Sequence, residues 1–328
     1  MTELDPSLLA AGLFAPVVVW VLWRGQTVSV ELLRTRLLVL TRHKDQAWVY
    51  AIVSWFGTFL HEVSHALVLL LSGHGIKQFR AGVEKGHVTP ATMRKGPVSF
   101  LFFLVAALAP LFLPPLLVLV LLAVFLDPGL FTFAHGGPGL QVAWDLLVSF
   151  GMDFPLRLVR DLGDLDLARP AHLGVLAAVL LGIPGARPSH VKSRWHGPEG
   201  DIAVLRARIR ENPLPFVAFL LILYLASFLT LVWPEAYWVP LQAVWAMAIA
   251  GIVLALFGSL WWSLAGLDGR VTPWLAWLGP ASFVAVQVAA RVVALPAGTT
   301  FLQVNLASLA AWLLVALVLG AVARRSKG

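Results

Sequence analysis

Apolar residues occur in long blocks along this chain, and short polar segments separate the blocks. A helix needs about 20 mostly apolar residues to cross a membrane. By that measure the pattern predicts about eight spans, at residues 7–23, 47–72, 97–126, 172–186, 214–233, 237–265, 273–295 and 301–323. We therefore expect an all-α, polytopic membrane helix bundle that forms a single integral membrane domain over residues 1–328.

Helix-breaking residues interrupt two of these predicted spans. The fourth is short and contains Gly182, Pro184 and Gly185, so we expect a tilted or broken helix there. The third is long and is expected to kink, because it contains Pro110, Pro114 and Pro115. The first apolar run follows a start without basic residues, which favours a retained membrane anchor over a cleaved signal peptide.

The polar segments between the blocks predict the connections. We expect a small polar hairpin at 73–96, an exterior loop at 127–171 and a basic loop at 187–213. Basic residues are enriched in cytoplasmic loops, and the basic tail at 324–328 therefore predicts a cytoplasmic C-terminus, with the cell membrane as the location. The segment 24–46 is equally basic on the opposite side, so part of 28–41 or the first run is alternatively expected to lie in the membrane interface.

Composition agrees with a membrane protein. Of the 328 residues, 59% are hydrophobic and 12% are charged, whereas a soluble domain carries about 25% charged residues. The net charge of +7 does not indicate nucleic-acid binding, because no basic stretch is interleaved with aromatic residues that would stack on bases. The absence of cysteine excludes disulfides, iron–sulfur clusters and zinc sites built from thiolates.

The second predicted span contains the motif HEVSH, at residues 61–65. His61 and His65 are four residues apart and therefore share one face of a helix, where both imidazoles can bind one zinc ion. Glu62 stands beside them and is placed to act as a general base in the hydrolysis of an amide. Ionisable side chains inside a span are costly, so three within five residues indicate a functional site.

The sequence HEVSHALVLLLSGHGIKQF, at 61–79, resembles the zinc helix of the site-2 protease family of intramembrane metalloproteases. The segment GHV at 86–88 and the segment LAPLFLPP at 108–115 are similar to the hairpin region and the small-residue/proline motif of that family. The resemblance covers about residues 47–126. It implies a zinc metalloendopeptidase that cuts transmembrane protein substrates, with a hairpin able to pair with an unwound substrate.

A catalytic zinc ion normally has three protein ligands, and one HExxH motif supplies only two of them. The resemblance implies Asp268 as the third, in the Leu-Asp-Gly sequence at 267–269, although Asp-Gly also suits a simple turn. The basic loop offers His190, His196 and Asp201 as alternatives.

Two other classes of function stay open at this stage. A transporter or channel also uses intramembrane histidines, and a catalytically inactive relative would bind helices without cutting them. Other polar residues are assigned simpler roles: we expect His74 and His87 to face solvent and Arg291 to extend to the membrane interface. Gly57 allows either close helix packing or access for a substrate.

Overall fold

The computed structural model describes residues 6–40, 47–83, 86–92, 97–133, 140–186, 206–207, 209–211, 213–268, 278–295 and 298–325. Over these residues the protein is helical apart from one two-stranded sheet, which confirms the predicted all-α class with a hairpin. Four of the described helices are long and apolar enough to cross a membrane: Ala47–Leu71, Val98–Phe125, Pro234–Ala265 and Phe301–Leu319. They indicate membrane association, but the predicted count of eight spans is not confirmed.

The elements follow one another along the chain as nine helices within the described ranges and one hairpin. Their bounds are α1 (Pro6–Leu40), α2 (Ala47–Leu71), β1 (Ile76–Ala81), β2 (Gly86–Pro90), α3 (Pro97–Phe125), α4 (Leu140–Gly163), α5 (Pro170–Ala177), α6 (Leu214–Ala226), α7 (Pro234–Asp268), α8 (Leu278–Val292) and α9 (Phe301–Arg325). Shorter apolar helical segments at Pro170–Gly185, Leu214–Leu229 and Leu278–Val292 correspond to three of the predicted spans.

Two helices extend into segments that hydropathy assigned to loops. Helix α1 continues without a break to Leu40, so the described part of the predicted loop 24–46 is helical. Helix α4 occupies most of the predicted exterior loop 127–171. It is amphipathic: its side chains Phe154 and Leu158 are buried, whereas Asp153 and Arg160 are exposed. The mean hydropathy of such a helix, taken over both faces, is too low for the segment to be recognised as an apolar span.

Helices α1 and α7 run parallel and pack closely through glycine. A methyl group on Gly25 would lie 3.1 Å from the side chain of Ile252, and one on Gly258 would lie 3.2 Å from Leu33. Small residues allow such close approach of helices in membranes, where van der Waals packing replaces the hydrophobic effect as the driving force. This pair forms the side of the bundle against which α3 packs through the buried side chain of Gln26.

The sequence predicted a broken helix at 172–186, and the structure confirms it. Helix α5 passes into a π-helical turn at Ala178–Gly182 and then into a 3₁₀ turn at Ile183–Gly185. Proline at position 184 cannot donate a backbone hydrogen bond, which favours the end of the regular helix at this point. Local π and 3₁₀ turns in helices often mark functional sites, and this one ends against α2.

The C-terminal helices are attached to the rest of the bundle by polar side chains. The side-chain amide of Gln287 donates to Asn305 at 2.6 Å, and Asn305 in turn donates to the backbone carbonyls of Gly163 and Leu165. Arg291 pairs with the carboxylate of Asp166, so its expected extension to the membrane interface is replaced by an ion pair within the protein.

The Asp166–Arg291 pair predicts a specific dependence of stability on pH. Burial alone would raise the pKa of Asp166, but the hydrogen bonds from Arg291 and from the backbone of Ala168, together with the charges of Arg291 and Arg169, hold the pKa below its ordinary value of 3.8. A carboxyl group whose pKa is lower in the folded than in the unfolded state stabilises the fold at pH values above its unfolded-state pKa. This stabilisation is lost as the pH falls through the folded-state pKa. We expect Arg291→Gln to reduce the loss of stability between pH 5 and pH 3, as measured by thermal unfolding in detergent.

The matched control for this experiment is Arg34→Gln, which removes an exposed guanidinium that lies 3.6 Å from the exposed Glu31. Exposed ion pairs contribute little to stability. The control should therefore lose stability between pH 5 and pH 3 as the natural protein does, and an identical acid profile for all three proteins would contradict the assignment.

Candidate metal centre

The two histidines of the HExxH motif lie on one face of α2, as their spacing predicted. His61 is buried and His65 is half-buried, and the centroids of their rings are 4.8 Å apart. The Nε2 atoms face each other at 3.2 Å. Both rings therefore direct the same nitrogen to one point beside the helix.

Gly185 holds the ring of His61 from the broken end of α5. The Nδ1 atom of His61 donates to the carbonyl oxygen of Gly185 at 3.1 Å. This contact requires close backbone packing, because a methyl group on Gly185 would lie 2.3 Å from the carbonyl oxygen of Gly57. Of the two roles considered for Gly57, the structure shows close helix packing. The glycines at 57 and 185 thus bring the carbonyl within reach of the imidazole.

Helix α3 holds the ring of His65 from the other side. The Nδ1 atom of His65 donates to the carbonyl oxygen of Ala106 at 2.7 Å. A carbonyl oxygen only accepts hydrogen bonds, so Nδ1 carries a proton in each histidine, and in the neutral imidazole Nε2 then presents its lone pair. A hydrogen bond from the second ring nitrogen to a carbonyl is the usual support of a histidine that binds a metal.

The geometry of the two rings fits zinc. Two bonds of about 2.0–2.1 Å at a tetrahedral angle place two nitrogen ligands about 3.3 Å apart. The observed Nε2–Nε2 distance is 3.2 Å. Two lone pairs at this distance repel each other, and a cation between them converts the repulsion into attraction. The donor set is also suitable, since neutral imidazole is a common zinc ligand.

Glu62 is buried beside the histidines and lies directly under the hairpin. A methyl group on Gly86, the first residue of β2, would lie 2.5 Å from Cγ and 2.6 Å from Oε1 of Glu62. A side chain at this position would therefore displace either the strand or the Glu62 side chain. The backbone of the hairpin therefore covers Glu62, a contact that the sequence motif did not reveal.

Further contacts attach the hairpin to α2. The hydroxyl of Ser54 donates to the carbonyl oxygen of Val83, and the rings of Phe59 and Phe79 meet edge to face with centroids 6.0 Å apart. The strands pair antiparallel, with Phe79 opposite Val88 and Ala81 opposite Gly86. The predicted hairpin is thus confirmed, and it is docked on the motif helix over the two turns before the histidines.

His74 forms the base of the hairpin and is not exposed as expected. It is buried between Ser72 and Ser99, with Nδ1 2.7 Å from one hydroxyl and Nε2 2.9 Å from the other. The expectation of a solvent-facing side chain was wrong because positive φ at Gly73 and Gly75 turns the chain back toward α3. The corresponding expectation for His87, which is exposed, is confirmed.

The candidates for a third ligand fall outside the described residues. Those in the basic loop, His190, His196 and Asp201, belong to segments that the structure does not describe, and of Asp268 only the backbone at the end of α7 is described. Within the described ranges, no group of three histidine, aspartate or glutamate side chains is arranged to hold a metal. The described part of the centre thus consists of His61, Glu62 and His65.

Comparison of the chain with protein-family models, with curated proteins and with solved structures finds no match in any of the three. The case for a metal centre therefore depends on the motif and on the geometry around it. Sequence reasoning missed the supporting groups, namely the carbonyls of Gly185 and Ala106 and the contact of Gly86. Two of these groups had a signal in the sequence: the predicted break at 182–185 marks the carbonyl of Gly185, and Pro110, four residues after Ala106, marks the carbonyl of Ala106.

The contact between Gly57 and Gly185 predicts an asymmetric effect of alanine substitution. In Gly185→Ala the new methyl group meets backbone atoms, which cannot move without displacing a helix. We expect a loss of about 1–3 kcal/mol in the free energy of unfolding, the usual effect of overpacking. Gly182→Ala is the matched control, since its methyl group would meet only the Cδ1 atom of Leu60, at 3.1 Å. Equal destabilisation in chemical unfolding would contradict the close packing.

Proposed function

We propose that this protein is an intramembrane zinc metalloprotease, similar to the site-2 proteases, that hydrolyses peptide bonds in or near the transmembrane segments of other membrane proteins. The observation that carries the proposal is the pair of Nε2 atoms 3.2 Å apart, with both Nδ1 atoms donating to carbonyl oxygens. This arrangement supports His61 and His65 as ligands of one zinc ion. The HExxH sequence that contains them is typical of zinc peptidases.

Zinc bound at this position would polarise the peptide carbonyl and make water a stronger acid near neutral pH. Glu62 follows His61 directly, and its buried carboxylate is the base of the proposal. It accepts a proton from the attacking water and then delivers it to the nitrogen of the leaving amine. The same carboxylate thus serves as general base and general acid in the two halves of the reaction.

The third ligand in this proposal is Asp268, because the Leu-Asp-Gly sequence resembles the family motif. His190, His196 and Asp201 are the alternatives. Replacement of each of the four by alanine, followed by measurement of the zinc content per chain, identifies the ligand as the position whose loss lowers zinc retention most. A side chain that binds zinc directly contributes far more to zinc retention than a neighbouring solvated residue does.

The hairpin is the proposed binding element for the substrate. A transmembrane helix has all its backbone groups hydrogen-bonded and must unwind before a peptide bond reaches the zinc. An unwound segment regains hydrogen bonds when it pairs with the edge of a strand. The contact of Gly86 with Glu62 supports this role, since a strand added to the hairpin passes close to the base. The partners are thus a transmembrane substrate and the lipid bilayer, with the cell membrane as the proposed location and the C-terminus in the cytoplasm.

The transport hypothesis gains no support from the later spans. A transport path would require polar side chains that line a route through these spans. Instead, Gln287 donates to Asn305 and Ser308, and Arg291 pairs with Asp166. These contacts within the protein explain the presence of the four polar side chains. A catalytically inactive relative differs from the protease only in activity, and the following experiment distinguishes the two.

Replacement of the base should abolish activity without loss of the metal. We expect the natural protein to hold one zinc ion per chain and to cleave a set of reconstituted single-span substrates, as followed by mass spectrometry of the products. In Glu62→Gln the zinc content should be unchanged, while the cleavage rate falls by a factor of about 10² or more because proton transfer is lost. In the double variant His61→Ala, His65→Ala both zinc and cleavage should be lost. Equal cleavage by Glu62→Gln and the natural protein would contradict the proposal.

The contact at Gly86 predicts a second, more selective loss of activity. In Gly86→Ala the new methyl group would overlap Glu62, so either the hairpin or the carboxylate must move. We expect the cleavage rate to fall about tenfold or more, with zinc content unchanged, because displacement of a catalytic group by about 1 Å is costly. Gly174→Ala is the matched control, since its methyl group meets no atom within 4 Å. Full activity in Gly86→Ala would contradict a role of the Gly86 contact in placing Glu62.

A further inference from the structure

Two prolines of α3 each remove the usual partner of a backbone carbonyl. In an α-helix the carbonyl of one residue accepts from the N–H of the residue four positions later. Proline has no N–H, so Pro110 leaves the carbonyl of Ala106 without that donor, and Pro115 does the same for Leu111. A buried carbonyl without a partner is destabilising, and it therefore requires a donor from elsewhere in the protein.

Both carbonyls receive a hydrogen bond from a side chain of another helix. The imidazole Nδ1 of His65 donates to Ala106 at 2.7 Å, and the amide of Gln26, which is completely buried, donates to Leu111. The proline ring also pushes against the carbonyl four residues earlier, which tilts that carbonyl away from the helix axis. A carbonyl tilted in this way is accessible from the side of the helix, which is the direction of approach of both donors.

We propose that Pro110 is a positioning residue for the metal centre, and the inference rests on the proposed function of that centre. By removing the N–H at position 110, the proline reserves the carbonyl of Ala106 for His65. The carbonyl then fixes the proton of His65 on Nδ1 and directs Nε2 toward His61. Pro115 likewise leaves the carbonyl of Leu111 available to Gln26, away from the two histidines. It is therefore an internal control within the same helix.

Zinc affinity is the first test. Pro110→Ala restores an N–H that competes with His65 for the carbonyl of Ala106. We expect the affinity for zinc, measured by competition with a chelator, to fall about tenfold, the lower end of the usual effect of losing a hydrogen-bond partner of a metal-binding histidine. Pro115→Ala should keep its affinity within about twofold of the natural protein. Unchanged affinity in Pro110→Ala, or an equal loss in Pro115→Ala, would overturn the proposal.

Replacement of Pro110 by the α-hydroxy acid analogue of alanine provides the rescue. This variant has an ester at the linkage to position 110 and so lacks the N–H, as proline does, but it has no ring. If the competing donor causes the loss in Pro110→Ala, the ester should recover at least half of the lost affinity on a logarithmic scale. If the ester variant binds zinc as weakly as Pro110→Ala does, the missing N–H does not have the proposed role.

The tautomer of His65 gives a readout that does not require zinc. In zinc-free protein labelled with ¹⁵N on histidine, we expect His65 to carry its proton on Nδ1, and Pro110→Ala to shift the population toward the Nε2-protonated form. The Pro115→Ala spectrum should match that of the natural protein. Failure of the natural protein to bind zinc would refute the proposed function, whereas an unchanged tautomer in Pro110→Ala would refute the role of Pro110.

Discussion

The hydrogen bonds from two imidazoles to two backbone carbonyls fix the geometry of the whole centre. His61 and His65 lie on one turn of α2, but a shared helix face alone does not make their Nε2 atoms converge. Convergence requires each ring to be held at its second nitrogen, by Gly185 for one and by Ala106 for the other. These two carbonyls lie on the broken helix and on α3, so the packing of two separate elements against α2 determines the distance of 3.2 Å between the two Nε2 atoms.

A carbonyl available for such a bond is rare in a membrane helix, because almost every one is occupied by the helix itself. This protein obtains both from interruptions of regular structure. The π and 3₁₀ turns that end the segment 170–185 leave the carbonyl of Gly185 outside the helical pattern, and a proline four residues later releases that of Ala106. Interruptions that would destabilise an isolated helix are therefore compensated here by contacts with the histidines.

The sequence allowed prediction of the features that depend on local pattern. The motif helix, the break near Pro184 and the hairpin after α2 follow from spacing, proline and polarity, and the structure contains all three. Amphipathic helices were harder to predict. In α1 the buried residues Val30, Leu33 and Leu37 alternate with exposed charged ones, and an average over all faces makes such a helix resemble a loop. Contacts between distant segments, such as that of His74 with Ser99, depend on tertiary packing and have no local signal.

The contact of Gly86 with Glu62 bears on two requirements of the proposed reaction. Hydrolysis within a bilayer needs water at a buried carboxylate, and it needs a substrate backbone whose hydrogen bonds have been replaced. In the proposed function the hairpin serves both needs, because the exposed Lys77, Gln78 and Thr89 present polar groups while the strands offer backbone donors and acceptors. A glycine at the point of contact lets this polar element approach the side chain of Glu62 closely. Under the proposed function, the hairpin therefore acts as part of the catalytic site as well as a binding surface.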